Sequence, residues 1–213
     1  MMKLLFIRQW SYLMAILLSA ILLNGCQQAS IPELKSDAVI LAFGDSLTLG
    51  YGVQPHESYP QVLSQLSGHK VINAGVSGET TAQGLKRLEA VLEQNQPQLL
   101  ILLEGGNDLL LKVPSERTQD NLAKMIELAQ SKQIPLLLIG VPERGLMGKT
   151  TGLYKQLAER YQIPLEANIV ANLMKRLSMK SDFVHFNALG YQTLAESIYE
   201  TLQSTGALPE PLL

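Results

Sequence analysis

The chain is poor in the side chains that build bridges and metal sites. Its 213 residues include one cysteine, Cys26, so an internal disulfide is excluded. With only three histidines (His56, His69 and His185) beside that cysteine, neither a metal nor any other cofactor is expected. Charge is sparse too: 17 Lys and Arg against 19 Asp and Glu give a net charge of −2, which rules out the basic surface of a nucleic-acid binder. The apolar run from Tyr12 to Leu23 has 12 residues, short of the roughly 20 that a membrane-spanning helix needs. No G-x-S-x-G elbow occurs, and Gly75-Val76-Ser77-Gly78 lacks the Gly-Lys-Ser/Thr ending of a phosphate loop. Apolar material is plentiful: 46% of residues are hydrophobic, enough for the core of one domain.

The first 26 residues read as a leader. Lys3 and Arg8 make a positive start, the run to Leu23 follows, and Leu23-Asn24-Gly25-Cys26 resembles a bacterial lipobox. That resemblance implies residues 1–25 as signal peptide, lipidation of Cys26, and residues 26–37 as a tether of at most about 35 Å. Asn24 departs from the small or hydroxylated residue usual at its position. Gln27 in place of aspartate implies, by resemblance to Gram-negative sorting, the outer membrane facing the periplasm; the alternative is a secreted, soluble protein. Cleavage leaves 15 basic against 19 acidic residues, a net charge of −4.

From residue 38 to 213 the pattern is one α/β domain. Continuous apolar runs at 38–43, 70–74, 98–104 and 135–140, with a weaker one at 163–166, suit parallel strands buried on both faces. Between them, Leu85, Leu88 and Leu92 share one helical face, and Leu122, Met125, Ile126 and Ala129 share another. The helix after Asn187 carries Tyr191, Leu194, Ala195, Ile198 and Leu202 on one side. These units predict a three-layer α/β/α sandwich around a flavodoxin-like, five-stranded parallel sheet, with sites beyond the carboxyl ends of the strands.

The polar residues fall at those ends. Gly44-Asp45-Ser46 follows the first strand, Gly75-Val76-Ser77-Gly78 the second and Gly105-Gly106-Asn107-Asp108 the third; Asp182-Phe183-Val184-His185 precedes the last helix. Each alone is also turn chemistry. Together they fit nucleophilic catalysis. Ser46 needs a base, which His185 can be, and Asp182 three residues earlier can hold that imidazole in one tautomer. The backbone N–H groups of Ser46 and Gly78 and the Asn107 amide can supply three oxyanion donors.

These four blocks, with "VINAGVSGETT" and "LLEGGNDLL", resemble the SGNH hydrolases, also called GDSL esterases or lipases, over nearly all of 38–204. The resemblance is to the bacterial thioesterase, lysophospholipase and arylesterase branch. It implies a serine esterase with Ser46, Asp182 and His185 as triad and Ser46, Gly78 and Asn107 as oxyanion hole. It also implies a small-molecule or lipid ester as substrate; we expect a monomer held to the membrane through Cys26. Phe186 stands where the family usually has proline, so a less rigid turn is expected there. Two alternatives remain open: an O-deacetylase of envelope carbohydrate, and an inactive envelope binding lipoprotein. Asp45 and Asp108 are expected to serve the turns as acceptors, and His56 and His69 to be solvated. Leu146 and Met147, in the 142–154 loop, are candidate liners of an acyl pocket.

Overall fold

Leucine and isoleucine runs with no polar alternation cannot leave either face in water, and they form the centre of the sheet. The computed structural model describes residues 29–142, 150 and 152–209. The leader, Cys26, Leu146 and Met147 lie outside the described residues. The strands are β1 (Val39–Gly44), β2 (Lys70–Gly75), β3 (Leu99–Leu103), β4 (Leu136–Ile139) and β5 (Leu165–Glu166). All pair in parallel in the order β2-β1-β3-β4-β5. Side chains of β3 and β4 are buried throughout, whereas β2, at one edge, is partly exposed. β5 is shorter than the 163–166 expected: Leu165 and Glu166 are in register with β4, while Pro164, lacking an N–H, contributes only its carbonyl, which accepts the Leu138 N–H at 3.0 Å.

The helices are α1 (Ser46–Leu49), α2 (Tyr59–Ser67), α3 (Thr81–Asn95), α4 (Gly106–Leu110), α5 (Ser115–Ser131), α6 (Gly152–Tyr161), α7 (Ile169–Met174) and α8 (Ala188–Ser204). α2 and α7 pack with α8, and α3 and α6 pack with α5, giving the two outer layers. Leu88, Leu92, Leu122, Met125, Ile126, Leu194 and Ile198 point inward, as their spacing requires. The chain runs outward from β1 to β2 and then returns to β3 on the other side of β1. That reversal opens a crevice above β1, where the loops after β1, β2 and β3 meet.

Packing begins before β1. Ile31 is buried, and the N–H groups of Ile31 and Leu34 donate to the carbonyls of Thr205 and Ala207 at 2.9 Å. This segment also covers His69, which is buried rather than solvated: its ring nitrogens lie 3.0 Å from the Ser67 carbonyl and 3.1 Å from that of Lys35. The folded body therefore starts at about residue 31, and the span that could act as a tether is shorter than residues 27–37. All these elements lie within residues 29–209, so a fragment of residues 27–213 carries every described strand and helix.

The loop before α8 is stiffened by packing instead of by proline. Phe186 is fully buried and meets Tyr191 edge-on, with ring centroids 5.7 Å apart. An antiparallel bridge joins Lys180 to Phe186. Ser181 N–H donates to the His185 carbonyl at 3.1 Å, and Asn187 N–H to that of Met179 at 3.0 Å. Gly190 leaves the room this requires, since a Cβ there would overlap the Met179 carbonyl and crowd Phe186. Phe186→Ala is expected to lower the unfolding free energy by about 3–5 kcal/mol, read as a shifted midpoint in urea denaturation.

Candidate active site

Ser46 is the first residue of α1, directly after β1. Asp45 caps that helix, its Oδ1 accepting the Leu47 N–H at 2.9 Å. The cap leaves the N–H of Ser46, in the first turn, without an intrahelical acceptor. The Ser46 side chain faces His185, which comes from the stiffened loop: His185 Nε2 lies 3.0 Å from Ser46 Oγ. On the far side of the ring, Nδ1 lies 2.7 Å from Asp182 Oδ2. A carboxylate can only accept, so Nδ1 carries the proton and Nε2 offers its lone pair to the hydroxyl.

Asp182 also organises its own turn. Its Oδ1 accepts the N–H groups of Val184 and His185, both at 2.8 Å. Burial alone would raise its pKa. The His185 ring and the two backbone donors outweigh that effect and bring it down to about 2. The acid thus stays ionised wherever His185 could use it. Tyr51 covers the imidazole, with ring centroids 4.4 Å apart, and its carbonyl accepts the Tyr191 hydroxyl at 3.1 Å.

Gly78 and Asn107 come together through Glu79. Asn107 Nδ2 donates to the Glu79 carbonyl at 2.8 Å and makes a long contact of 3.4 Å to Asp45 Oδ2. One N–H of that amide is therefore committed, and the other is only weakly held. Gly78 has φ of 78°, in the left-handed region where a side chain is strained. A Cβ there would meet nothing within 4 Å, so backbone conformation rather than crowding calls for glycine. Its N–H has no acceptor among the described residues.

Below this loop, the Glu79 carboxylate forms an ion pair with Arg87, whose Nε reaches Oε1 at 2.7 Å. The same guanidinium donates to the Ala74 carbonyl at 2.8 Å and lies 3.8 Å from the centroid of the Phe43 ring. Asp108 is a structural acceptor, taking the Thr81 N–H at 2.8 Å and the Thr81 hydroxyl at 2.6 Å. Asp45 and Glu104 are buried without a cation of their own. Burial first, then the charges of Glu79 and Asp108, raises the Asp45 pKa to about 7. Burial, then the charges of Asp45 and Glu79, pushes Glu104 up to about 10. Among the described residues, Glu104 Oε1 has no hydrogen-bond partner.

All five residues expected from the sequence thus meet in one crevice. Glu79, Arg87 and Tyr51, which also shape it, were not anticipated. Glu79 and Arg87 act through a backbone carbonyl and an ion pair, and Tyr51 through a ring face; none of these leaves a motif. A hydroxyl within reach of an imidazole that a carboxylate orients is equipment that acyl transfer can use. Among the described residues no cluster of His, Cys, Asp and Glu could hold a metal ion.

Comparisons with known proteins point the same way. Residues 42–193 match the GDSL-like Lipase/Acylhydrolase family. The chain is 30% identical to the arylesterase of Vibrio mimicus over 174 residues, covering 76% of this chain and 87% of that protein. It is 28% identical to thioesterase 1/protease 1/lysophospholipase L1 of Escherichia coli K12 over 172 residues, covering 77% and 83%. Among solved structures it resembles the psychrotrophic esterase EstA from Pseudoalteromonas sp. inhibited by monoethylphosphonate, with a TM-score of 0.71 and 26% identity, covering 79% and 98%.

Glu104 provides a test of the buried acids. Its pKa is about 10 when folded and 4.5 in the reference state, so between those values the folded chain holds a proton the unfolded chain lacks. Stability must then fall as pH rises across that window, by up to about 1.4 kcal/mol per pH unit. Asp45 contributes in the same sense only up to about pH 7. Urea unfolding between pH 7.5 and 9.5 should therefore show a declining wild-type stability and a flatter profile for Glu104→Gln.

Proposed function

Because the chain belongs to the GDSL-like lipase/acylhydrolase family and is a carboxylic ester hydrolase, we propose that Ser46 is its nucleophile, His185 its base and acid, and Asp182 the group that orients His185. The carrying observation is the unbroken run from Asp182 through His185 to Ser46, with steps of 2.7 and 3.0 Å. Ser46 Oγ attacks the acyl carbon as its proton passes to His185 Nε2. The carbonyl oxygen becomes an oxyanion, received by the N–H groups of Ser46 and Gly78 and the less committed N–H of Asn107. Collapse breaks the bond to the leaving alcohol or thiol, which takes the proton from His185. Water then attacks the acyl-enzyme through the same base, releasing the acid and restoring the serine.

The substrates are small-molecule or lipid esters. The names of the relatives support aryl esters, thioesters and lysophospholipids as the classes to try. Leu49, Tyr51, Val76 and Leu110, exposed in the loops and short helices around the crevice, favour an apolar acyl chain over acetate, against the O-deacetylase reading. One chain supplies every residue of the site, which supports a working monomer.

For location we propose the cell envelope, with Cys26 lipidated. The chain joins the body beside Thr205, at the end of α8 far from the site. α8 has 17 residues, so about 25 Å separates the poles. A lipid on Cys26 would hold the far pole, leaving the crevice facing the aqueous compartment.

A fluorophosphonate probe should label the 27–213 fragment and not Ser46→Ala, and Ser46→Ala should lose at least about 10⁴-fold in hydrolysis of p-nitrophenyl butyrate. A folded wild-type protein that takes no label would return the inactive-binder reading. In a p-nitrophenyl series, octanoate should be preferred to acetate. Asn107→Ala should reduce kcat about 10²- to 10³-fold with little change in KM, as removal of a transition-state donor does.

A further inference from the structure

Large apolar side chains left in water gather at one end of the molecule. Among the described residues, Leu110, Leu111, Leu177, Phe183 and Leu189 are exposed, and each lies in a segment following the carboxyl end of a strand or opening α8. Leu66, at the far end of α2, is the exception. Leu177 and Phe183 stand out, at 86% and 87% exposed. Neither packs into the core, and leaving an aromatic ring that exposed forgoes most of its burial energy.

The charges on the same segment have one sign. From residue 167 to 195 the chain carries Lys175, Arg176 and Lys180 and a single carboxylate, Asp182, which is already engaged by His185 and its own turn. Among the described residues none of the three cations pairs with a carboxylate. Lys175 and Arg176 are exposed just beyond the end of α7, directly before Leu177, and Lys180 Nζ lies 5.3 Å from the Phe183 ring centroid. In a chain whose net charge is −2, this is a local inversion of sign.

Two protruding apolar side chains interleaved with three cations, in the segment that leads into the His185 loop, match the requirements of an interface of anionic headgroups over acyl chains. We propose that the 175–183 segment docks the mouth of the crevice onto an anionic phospholipid surface. Leu177 and Phe183 enter the acyl boundary, and Lys175, Arg176 and Lys180 contact the headgroups. A soluble anion would satisfy the cations but not the two apolar side chains, and a neutral surface would leave the cations unmatched. The docking pole lies opposite the entry of residues 29–34, so this contact is separate from any anchorage through Cys26.

The test is flotation of the 27–213 fragment with vesicles of phosphatidylcholine alone or with 30% phosphatidylglycerol (about that fraction). It involves no turnover, so its outcome is independent of whether Ser46 is the nucleophile. The wild-type fragment should float with the anionic vesicles and not with the neutral ones, and raised salt should release it. Each cation near such a surface changes partition about fivefold. Lys175→Glu with Arg176→Glu should therefore lower binding at least about 25-fold. Leu177→Ser should lower it about tenfold or more, with p-nitrophenyl butyrate hydrolysis reporting that both variants are folded. Absence of wild-type binding, equal binding to both vesicle types, or wild-type binding by the folded variants would each overturn the proposal.

Discussion

The 3.0 Å contact between Ser46 and His185 joins groups 139 residues apart, and most of the architecture bears on making it. The two sides are built differently. Ser46 is delivered by β1, flanked by β2 and β3, and turned into a capped helix by Asp45. That side is rigid because its backbone is bonded along two neighbouring strands. His185 comes from a loop with no sheet neighbour, whose stiffness has to be made locally. The Asp182 carboxylate does part of this by accepting three bonds within its own turn, and Phe186 does the rest by burial against Tyr191. Tyr191 also holds the Tyr51 carbonyl, so one residue of α8 supports both the His185 loop and the ring that covers the imidazole.

The acids beneath the crevice set the opposite constraint. Asp45, Glu79, Glu104 and Asp108 are all buried, yet only Glu79 has a cation. Asp108 is satisfied by the Thr81 N–H and hydroxyl. Asp45 and Glu104 respond by holding their protons to higher pH. The energetic cost is real, since a carboxyl without a full set of partners could be replaced by something apolar or amide-like. The benefit is electrostatic. In the proposed reaction an oxyanion beside Asn107 would be opposed by any negative charge in the low dielectric below it, and Glu104, which burial keeps protonated at neutral pH, adds none. Arg87 neutralises the one acid that is tied to the donor loop, and it holds that loop to the end of β2 in the same set of bonds.

How much of this could be read from the sequence depends on whether a role belongs to a side-chain type or to a place in space. The strands at 38–43, 98–104 and 135–140 were legible because a parallel strand buried on both faces must be apolar throughout. β5 was overestimated because Ile163 stays outside the pairing and Pro164, which has no N–H, offers β4 only its carbonyl, accepting the Leu138 N–H at 3.0 Å. The docking of Ile31 was missed because one isoleucine in a polar stretch carries no periodicity. Ser46, Asn107, Asp182 and His185 stood out because few residue types can serve in the roles proposed for them, and the hydrogen bonds that link Asp182, His185 and Ser46 are what the structure adds. Glu79 contributes a carbonyl, which any residue has, and Phe186 replaces a proline constraint by packing, which composition cannot display. His69 was misread for the same reason, since what buries it is a segment 34 residues away in the chain.

The fold has a polarity that the individual residues do not. Parallel strands with return helices send every strand's carboxyl end to one pole, and the segments that leave those ends carry the polar site and nearly all of the exposed large apolar side chains. The other pole receives the N-terminal segment, where the ends of the body are bonded to one another through Ile31, Leu34, Thr205 and Ala207. Chain entry and chemistry are therefore separated by the length of α8. An attachment at the entry cannot by itself press the crevice against the surface to which the chain is attached. Contact between the crevice and a lipid surface has to come from residues around the crevice, and the loop that carries His185 is where cations and unburied apolar side chains coincide.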